Sequence, residues 1–215
     1  MPIDQESLKK DLLNMNENEF YIKHILKSRN WYFSQYRNFK DDVLIDKIDE
    51  FKEIISKNFN VSFHSVKMVG SAKVGFSLSP DKGLKEFHDG NSTEKASDID
   101  VAIVSDRLYN EYWDFFRREN NVNYYFPLAR TFWQVSSSIY KGFINSWNIR
   151  EIDNMRKKWD AIVDPTNRAL RERLFIRHEI NYRLYRNWDD LREYQLNGII
   201  EVQKKHKEKN GGDNV

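Results

Sequence analysis

Cysteine is absent from this 215-residue chain. That excludes disulfides and thiolate metal sites. Histidine is sparse: the five present are scattered and show no metal-ligand spacing. Long apolar runs are missing as well, and nothing approaches the roughly 20 residues that cross a bilayer. The opening Met-Pro-Ile-Asp-Gln-Glu-Ser is polar and acidic, unlike a secretory signal. These absences lead us to expect a soluble, cytoplasmic chain without a membrane partner. An excess of one charge is also lacking. Lys and Arg number 35, Asp and Glu 33, and the formal net charge is +2. A global electrostatic hold on nucleic acid is therefore not implied, and a local patch would be needed. No internal repeat is visible.

Apolar residues and aromatic rings are plentiful. Hydrophobic residues reach 40%, enough for a sizeable core, and aromatics reach 14%, with 6 Trp, 11 Tyr and 14 Phe. The length suits one domain, or a catalytic core with a helical appendage. In the N-terminal third, Tyr21, Ile25, Tyr32, Tyr36 and Phe39 recur at helical spacings, as do Leu44, Ile48, Phe51 and Ile55 between Asp41-Asp42 and Asn58. Core packing is the simplest reading of these rings. Further on, Leu108 to Arg118 reads as a helix with Leu108, Tyr112, Phe115 and Phe116 inward, and Asn120-Asn-Val-Asn as a break. Leu128 to Trp147 reads as a long apolar helix. Ile152, Met155, Trp159 and Ile162 mark another helix, ended by Asp164-Pro165. Ile180 to Tyr185 alternates like a strand. Asp189 to Lys207 reads as a last helix burying Leu191, Tyr194 and Val202, and Lys204 to Val215 as a frayed tail.

Two short segments carry chemistry. Val66 to Val69 is mostly apolar and ends in Gly70-Ser71. Val101 to Val104 is entered through Asp98 and Asp100, one residue apart. Alternate residues on a strand point the same way, so both carboxylates aim at one spot. Like charges held that close repel unless a cation lies between them. Oxygen-only ligands suit a hard ion, magnesium before calcium or manganese. Gly-Ser at a strand end presents backbone N–H groups and a hydroxyl to a phosphate. Together the two segments suggest metal-assisted nucleotidyl transfer. An isolated Asp-x-Asp would more simply be a solvated strand edge.

Gly70-Ser71, followed by Asp98-Ile-Asp100 inside an apolar strand, resembles the signature of the polymerase-β-type nucleotidyltransferases. The string Val69 to Pro80 resembles bacterial members. The resemblance covers roughly residues 65–104. It implies an α/β (α+β) fold, a small mixed sheet flanked by many helices, with N-terminal helices over 1–60, a nucleotidyltransferase domain with helical insertions over 61–200, and a flexible tail over 201–215. It implies transfer of a nucleoside monophosphate from an NTP such as ATP to a hydroxyl, with release of pyrophosphate and with Mg2+ or Mn2+ as cofactor. Asp98 and Asp100 would be catalytic and hold the metal, while Gly70 and Ser71 would bind the nucleotide. Lys73, on the turn after Gly-Ser, is the candidate for the β- and γ-phosphates. The acceptor stays open among a nucleotide, an RNA end, a partner protein and a small molecule. An antiviral defence or toxin–antitoxin role is what the resemblance suggests. The chain departs from the family in its longer polar stretch from Ser79 to Ser97, which reads as a mobile loop over the site.

The family usually places a third carboxylate on a later strand beside Asp-x-Asp. In the candidate strand, Ile180 to Tyr185, the corresponding position holds the neutral Asn181. Glu179, two residues earlier on the same face, is the catalytic candidate. Asp164 and no third carboxylate at all are the alternatives. Arg168, Arg171, Arg173, Arg177, Arg183, Arg186 and Arg192 cluster around this strand, either as a phosphate groove or as a solvated face paired with nearby carboxylates. The competing functional reading is a catalytically degenerate nucleotide- or RNA-binding regulator on the same fold.

Overall fold

Asp4 sets the first helix of the chain by capping it: its carboxylate accepts from the N–H groups of Glu6 (3.3 Å) and Ser7 (3.1 Å) ahead of α1, Gln5–Asn14. The computed structural model describes residues 4–122 and 129–211. Residues 1–3, Asn123 of the expected break, Leu128 of the expected long helix and 212–215 of the expected tail lie outside the described residues. The fold is mixed α/β, a four-stranded mixed sheet with many flanking helices. The strands are β1 (Val66–Val69), β2 (Ile99–Val104), β3 (Phe143–Asn145) and β4 (Ile180–Tyr185). Their order is β1-β2-β4-β3. β3 runs antiparallel to β4, with Ile144 opposite Leu184. Among the described residues no helix is long and apolar enough to cross a membrane.

The chain forms two compact units, each discontinuous in sequence. The first comprises Met1–Glu50, Met68–Asp100 and Arg192–Val215; the second comprises Phe51–Lys67 and Val101–Leu191. These units cut across the divisions 1–60, 61–200 and 201–215 drawn from the sequence.

In the first unit α1 is followed by α2 (Glu17–Phe20) and by two π-helical stretches, Tyr21–Leu26 and Tyr32–Tyr36. Tyr21, Ile25 and Tyr32 are buried as their spacing predicts, but Phe33 joins them instead of Tyr36 and Phe39. The wider turn explains the shift: the Arg37 N–H reaches the Tyr32 carbonyl at 2.8 Å, five residues back, so the inward face rotates. Asn30, buried beside them, accepts from the Phe33 N–H at 2.9 Å. A long helix α3, Asp41–Phe59, begins in this unit with two acidic residues in its first turn, where the helix dipole favours them. The unit also contains α4 (Gly70–Val74), described with the site below. Gln203, on the last helix, donates to the Leu12 and Met15 carbonyls at 2.7 and 3.0 Å.

The second unit is built round Trp159, which is fully buried, with Phe59, Tyr112 and Tyr182 packed against it edge-on at ring centroid distances of 5.6, 5.4 and 6.4 Å. It holds α5 (Asp106–Val122), α6 (Ala129–Tyr140), α7 (Ser146–Arg150) and α8 (Asp153–Leu174). α5 runs through Asn120–Val122, where a break was expected. Its start is fixed by Ser105, whose Oγ accepts from the Leu108 N–H at 3.2 Å.

Three further expectations are corrected in this unit and at the chain's end. The apolar stretch up to Trp147 is not one helix: α6 ends at Tyr140, Gly142 takes φ +78°, and β3 follows. α8 does not end at Asp164-Pro165 but continues to Leu174. Its buried residues Trp159, Val163, Thr166 and Leu170 fall at helical spacing on both sides of Pro165, and Thr166 Oγ1 ties to the Ile162 carbonyl at 2.6 Å. Burying those side chains contributes about 1.5–3 kcal/mol each, which offsets the ~3 kcal/mol that an internal proline costs. The last helix, α9 (Trp188–Gly211), extends into the expected tail. It buries Leu191, Gln195, Ile199 and Val202, while Tyr194 is exposed.

Candidate functional site

The site elements lie in the first unit, where β1 gives way to α4. Gly70 sits at that junction with φ +67°, a left-handed conformation that side chains resist. Space forbids a side chain there as well. A Cβ on Gly70 would lie 2.5 Å from Asp100 Oδ2 and 3.3 Å from Asp100 Cβ and Cγ. The Asp100 carboxylate is thus laid directly against the backbone of the Gly-Ser turn. Two segments separated by 30 residues of sequence form one surface, and the absence of a side chain at Gly70 is what lets them touch.

β2 aims the carboxylates. Ile99 and Val101 are buried, while Asp98 and Asp100 are half-buried, so the alternation predicted from the sequence holds across these four residues. Asp98 precedes the first strand residue. Its neighbour Ser97 is pinned to His88 in both directions: the Ser97 N–H donates to the His88 carbonyl at 2.9 Å, and Ser97 Oγ accepts from the His88 N–H at 3.1 Å.

The far end of α4 is closed by a second glycine. Gly75 takes φ +90°, and its N–H donates to the Ser71 carbonyl at 2.7 Å. A Cβ there would fall 2.8 Å from both Gln5 Nε2 and the Trp31 ring. Gln5 Nε2 donates to the Gly75 carbonyl at 2.5 Å, and the Phe87 N–H donates to the same oxygen at 2.8 Å. Sequence reasoning missed this lock, although Gly75 stands in the string Val69 to Pro80. Its partners, Gln5, Trp31 and Phe87, are remote in sequence, so no local signal pointed to them.

The stretch 79–97, expected as a mobile loop, contains its own structure. Phe76 and Glu86 form an antiparallel bridge. Phe87 is buried among Trp31, Tyr32 and Tyr36, with ring centroids 5.6, 5.7 and 5.6 Å away. Gly90 at φ +80° turns the chain, and Asn91 Oδ1 accepts from the Thr93 and Glu94 N–H groups at 2.9 Å each. Tyr36 donates its hydroxyl proton to Asp89. Burial and that neighbouring carboxylate push the Tyr36 hydroxyl up to about 12, so it stays protonated.

Lys73 is placed differently from the expectation. It is 4% exposed, and its ammonium donates to the backbone carbonyls of Lys27 and of Arg29, the latter at 2.7 Å. The cation thereby ties down two carbonyls of the irregular stretch between the two π-helical segments. Reaching a phosphate would mean abandoning both carbonyl acceptors.

The remaining candidates belong to the second unit. Glu179 is exposed and immediately precedes β4, and Asn181 is half-buried within that strand. Asp164 is exposed in the middle of α8, not at a helix end. Of the arginines near β4, Arg183 donates to Asn145 Oδ1 at 2.7 Å and lies over the Phe143 ring at 5.0 Å. Arg186 makes a bidentate pair with Asp190, at 2.9 Å through both nitrogens. In the first unit Arg192 donates to Asn18 at 2.9 Å. For these three the reading as paired structural cations fits better than a phosphate groove.

The donor set fits a magnesium ion. That ion keeps several waters and takes one or two protein carboxylates plus substrate phosphates, rather than a full protein cage. Asp98 and Asp100 are such a pair. Among the described residues no group of three or more His, Asp or Glu that could hold a metal ion is present. No family model matches the chain, and no curated protein or solved structure matches it.

Proposed function

We propose that this chain is a metal-dependent nucleotidyltransferase that moves a nucleoside monophosphate from an NTP to a hydroxyl acceptor and releases pyrophosphate. The observation that carries the reading is the packing of the Asp100 carboxylate on Gly70. It brings Asp100, the second carboxylate of the Asp-x-Asp pair, against the Gly-Ser turn. In this reading the N–H groups of the Gly70-Ser71 turn and the Ser71 hydroxyl hold the triphosphate. Asp98 and Asp100 supply the anionic oxygens that hold Mg2+. When bound, the ion would neutralise charge on the phosphates and orient the α-phosphorus toward the acceptor hydroxyl. The new bond forms between the acceptor oxygen and the α-phosphorus, the bond to the bridging oxygen of the leaving pyrophosphate breaks, and the acceptor hydroxyl's proton passes to solvent. The protein's part is positioning and electrostatics; no covalent intermediate is needed. Lys73 enters as a positioning residue that fixes the segment beside α4.

If Glu179 is the third carboxylate, Glu179→Gln should abolish product formation and leave nucleotide affinity nearly intact. The neutral Asn181 favours a second reading, a nucleotide-binding regulator without turnover. Incubation with each labelled NTP, Mg2+ or Mn2+, and cellular RNA or protein separates the two. Transfer of label with pyrophosphate release supports the enzyme. Divalent-dependent binding without release supports the regulator. Absence of binding rejects both.

A further inference from the structure

α6 has two faces of opposite character. Thr131, Val135 and Ser138 are buried. At 100° per residue, Trp133, Ser136, Ser137 and Tyr140 fall on the opposite side. Trp133 is 72% exposed and Tyr140 92% exposed, so two large rings stand in water two turns apart, ~10.5 Å along the helix. Trp147, on the neighbouring α7, is 73% exposed. α6 packs on β3, α7 and α5 within the second unit, and Trp133 and Tyr140 stay exposed on its outer face among the described residues.

The charge along this stretch of sequence has one sign. Residues 129–150 contain no Asp or Glu in a chain that has 33 of them, and they contain Arg130, Lys141 and Arg150. Arg130, in the first turn of α6, and Lys141, just past its end, are exposed, while Arg150 pairs with Asp160 at 3.2 Å. Two carboxylates that touch this stretch are both occupied. Glu151 accepts from Thr131, on the buried side of α6. Asp190, against which Gly142 packs, is closed by Arg186.

Exposed rings with cations and no anions suit a strand of stacked bases joined by phosphates. A lipid surface would ask for a continuous apolar stripe, whereas here two serines separate the rings. Those hydroxyls, Ser136 and Ser137, are exposed between the platforms and can exchange hydrogen bonds with ribose 2′-OH groups, which distinguish RNA from DNA. We propose that the outer face of α6 binds single-stranded RNA, with Trp133 and Tyr140 as stacking platforms and Arg130 and Lys141 on the phosphates.

The test is fluorescence anisotropy of a labelled 20-nucleotide mixed-sequence RNA titrated with the full chain in EDTA, without NTP. Its outcome is therefore independent of the reading of Asp98 and Asp100. Single-stranded RNA should bind at low salt, more tightly than its duplex and than DNA of the same sequence. Trp133→Ala with Tyr140→Ala should weaken binding at least tenfold. Arg130→Ala with Lys141→Ala should reduce the salt slope of log K by about 1.4, or 0.7 per cation on a single strand. All four side chains are exposed, and circular dichroism with gel filtration checks that the variants stay folded. The proposal is overturned if no oligonucleotide binds, if duplex or DNA binds as tightly as single-stranded RNA, or if the ring variant binds like wild type. It is also overturned if the rings instead prove necessary only for binding anionic phosphatidylserine vesicles or for self-association.

Discussion

Gly70→Ala adds one carbon where the structure has no room for it, and the consequences divide between stability and function. The backbone at φ +67° costs a non-glycine residue about 1–2 kcal/mol. The new Cβ would also press on Asp100, 2.5 Å from Oδ2 and 3.3 Å from Cγ. A carboxylate at the end of a short side chain relieves that clash by rotating, so the steric part should appear as a mis-aimed Asp100 more than as lost stability. Gly83 is the control. It has φ +55°, and a Cβ there meets nothing within 4 Å. Gly83→Ala therefore pays for the backbone alone. Both variants should lose a similar amount in urea or thermal melts, at ~2–4 °C per kcal/mol for a chain of this size. Only Gly70→Ala should lose divalent-dependent NTP affinity, by tenfold or more, which corresponds to about 1.4 kcal/mol. Isothermal titration with MgATP on both variants is the assay. If Gly70→Ala binds like Gly83→Ala, Asp100 and the Gly-Ser turn do not act together and the reasoning fails.

Lys73→Met removes the donor to two backbone carbonyls in the first unit and should destabilise it by about 1–3 kcal/mol; urea melts read the loss, and an unchanged midpoint would show that the clamp is dispensable. His24 sits 2.8 Å from Asp11, and burial, the largest influence on it, holds its imidazole below the usual 6.5. The unfolded chain then takes up a proton first, so stability should fall as pH drops through the ordinary histidine range toward the lowered folded value. Melting temperature against pH should show this slope in wild type and a shallower one in His24→Gln; equal slopes would remove His24 from the account.

The parts of the site that share a local sequence pattern were legible before the structure. β1, β2 and β4 were visible as short apolar or alternating runs, and the half-buried Asp98 and Asp100 on either side of buried Ile99 follow the strand alternation. α3 was legible because its acidic start and its apolar stripe agree. What failed depended on partners distant in sequence. β3 is three residues inside an apolar stretch, where periodicity cannot separate strand from helix. α8 passes a proline because tertiary burial outweighs a local preference. Tyr194 and Gln195 are neighbours on α9, and only the packing decides that glutamine is buried and tyrosine exposed. Lys73 looked like a phosphate ligand because nothing in Gly70–Val74 announces the carbonyls of Lys27 and Arg29.

The account rests on one pair of carboxylates beside one glycine turn, and binding of a labelled NTP with and without Mg2+ tests it most directly. Asp98→Ala with Asp100→Ala removes both anionic ligands and should leave a folded chain, since their mutual repulsion goes with them. Wild type should bind NTP only when the divalent ion is present, and the double variant should show no divalent-dependent binding while its circular dichroism stays native. Equal MgATP affinity in the two proteins would contradict the central claim.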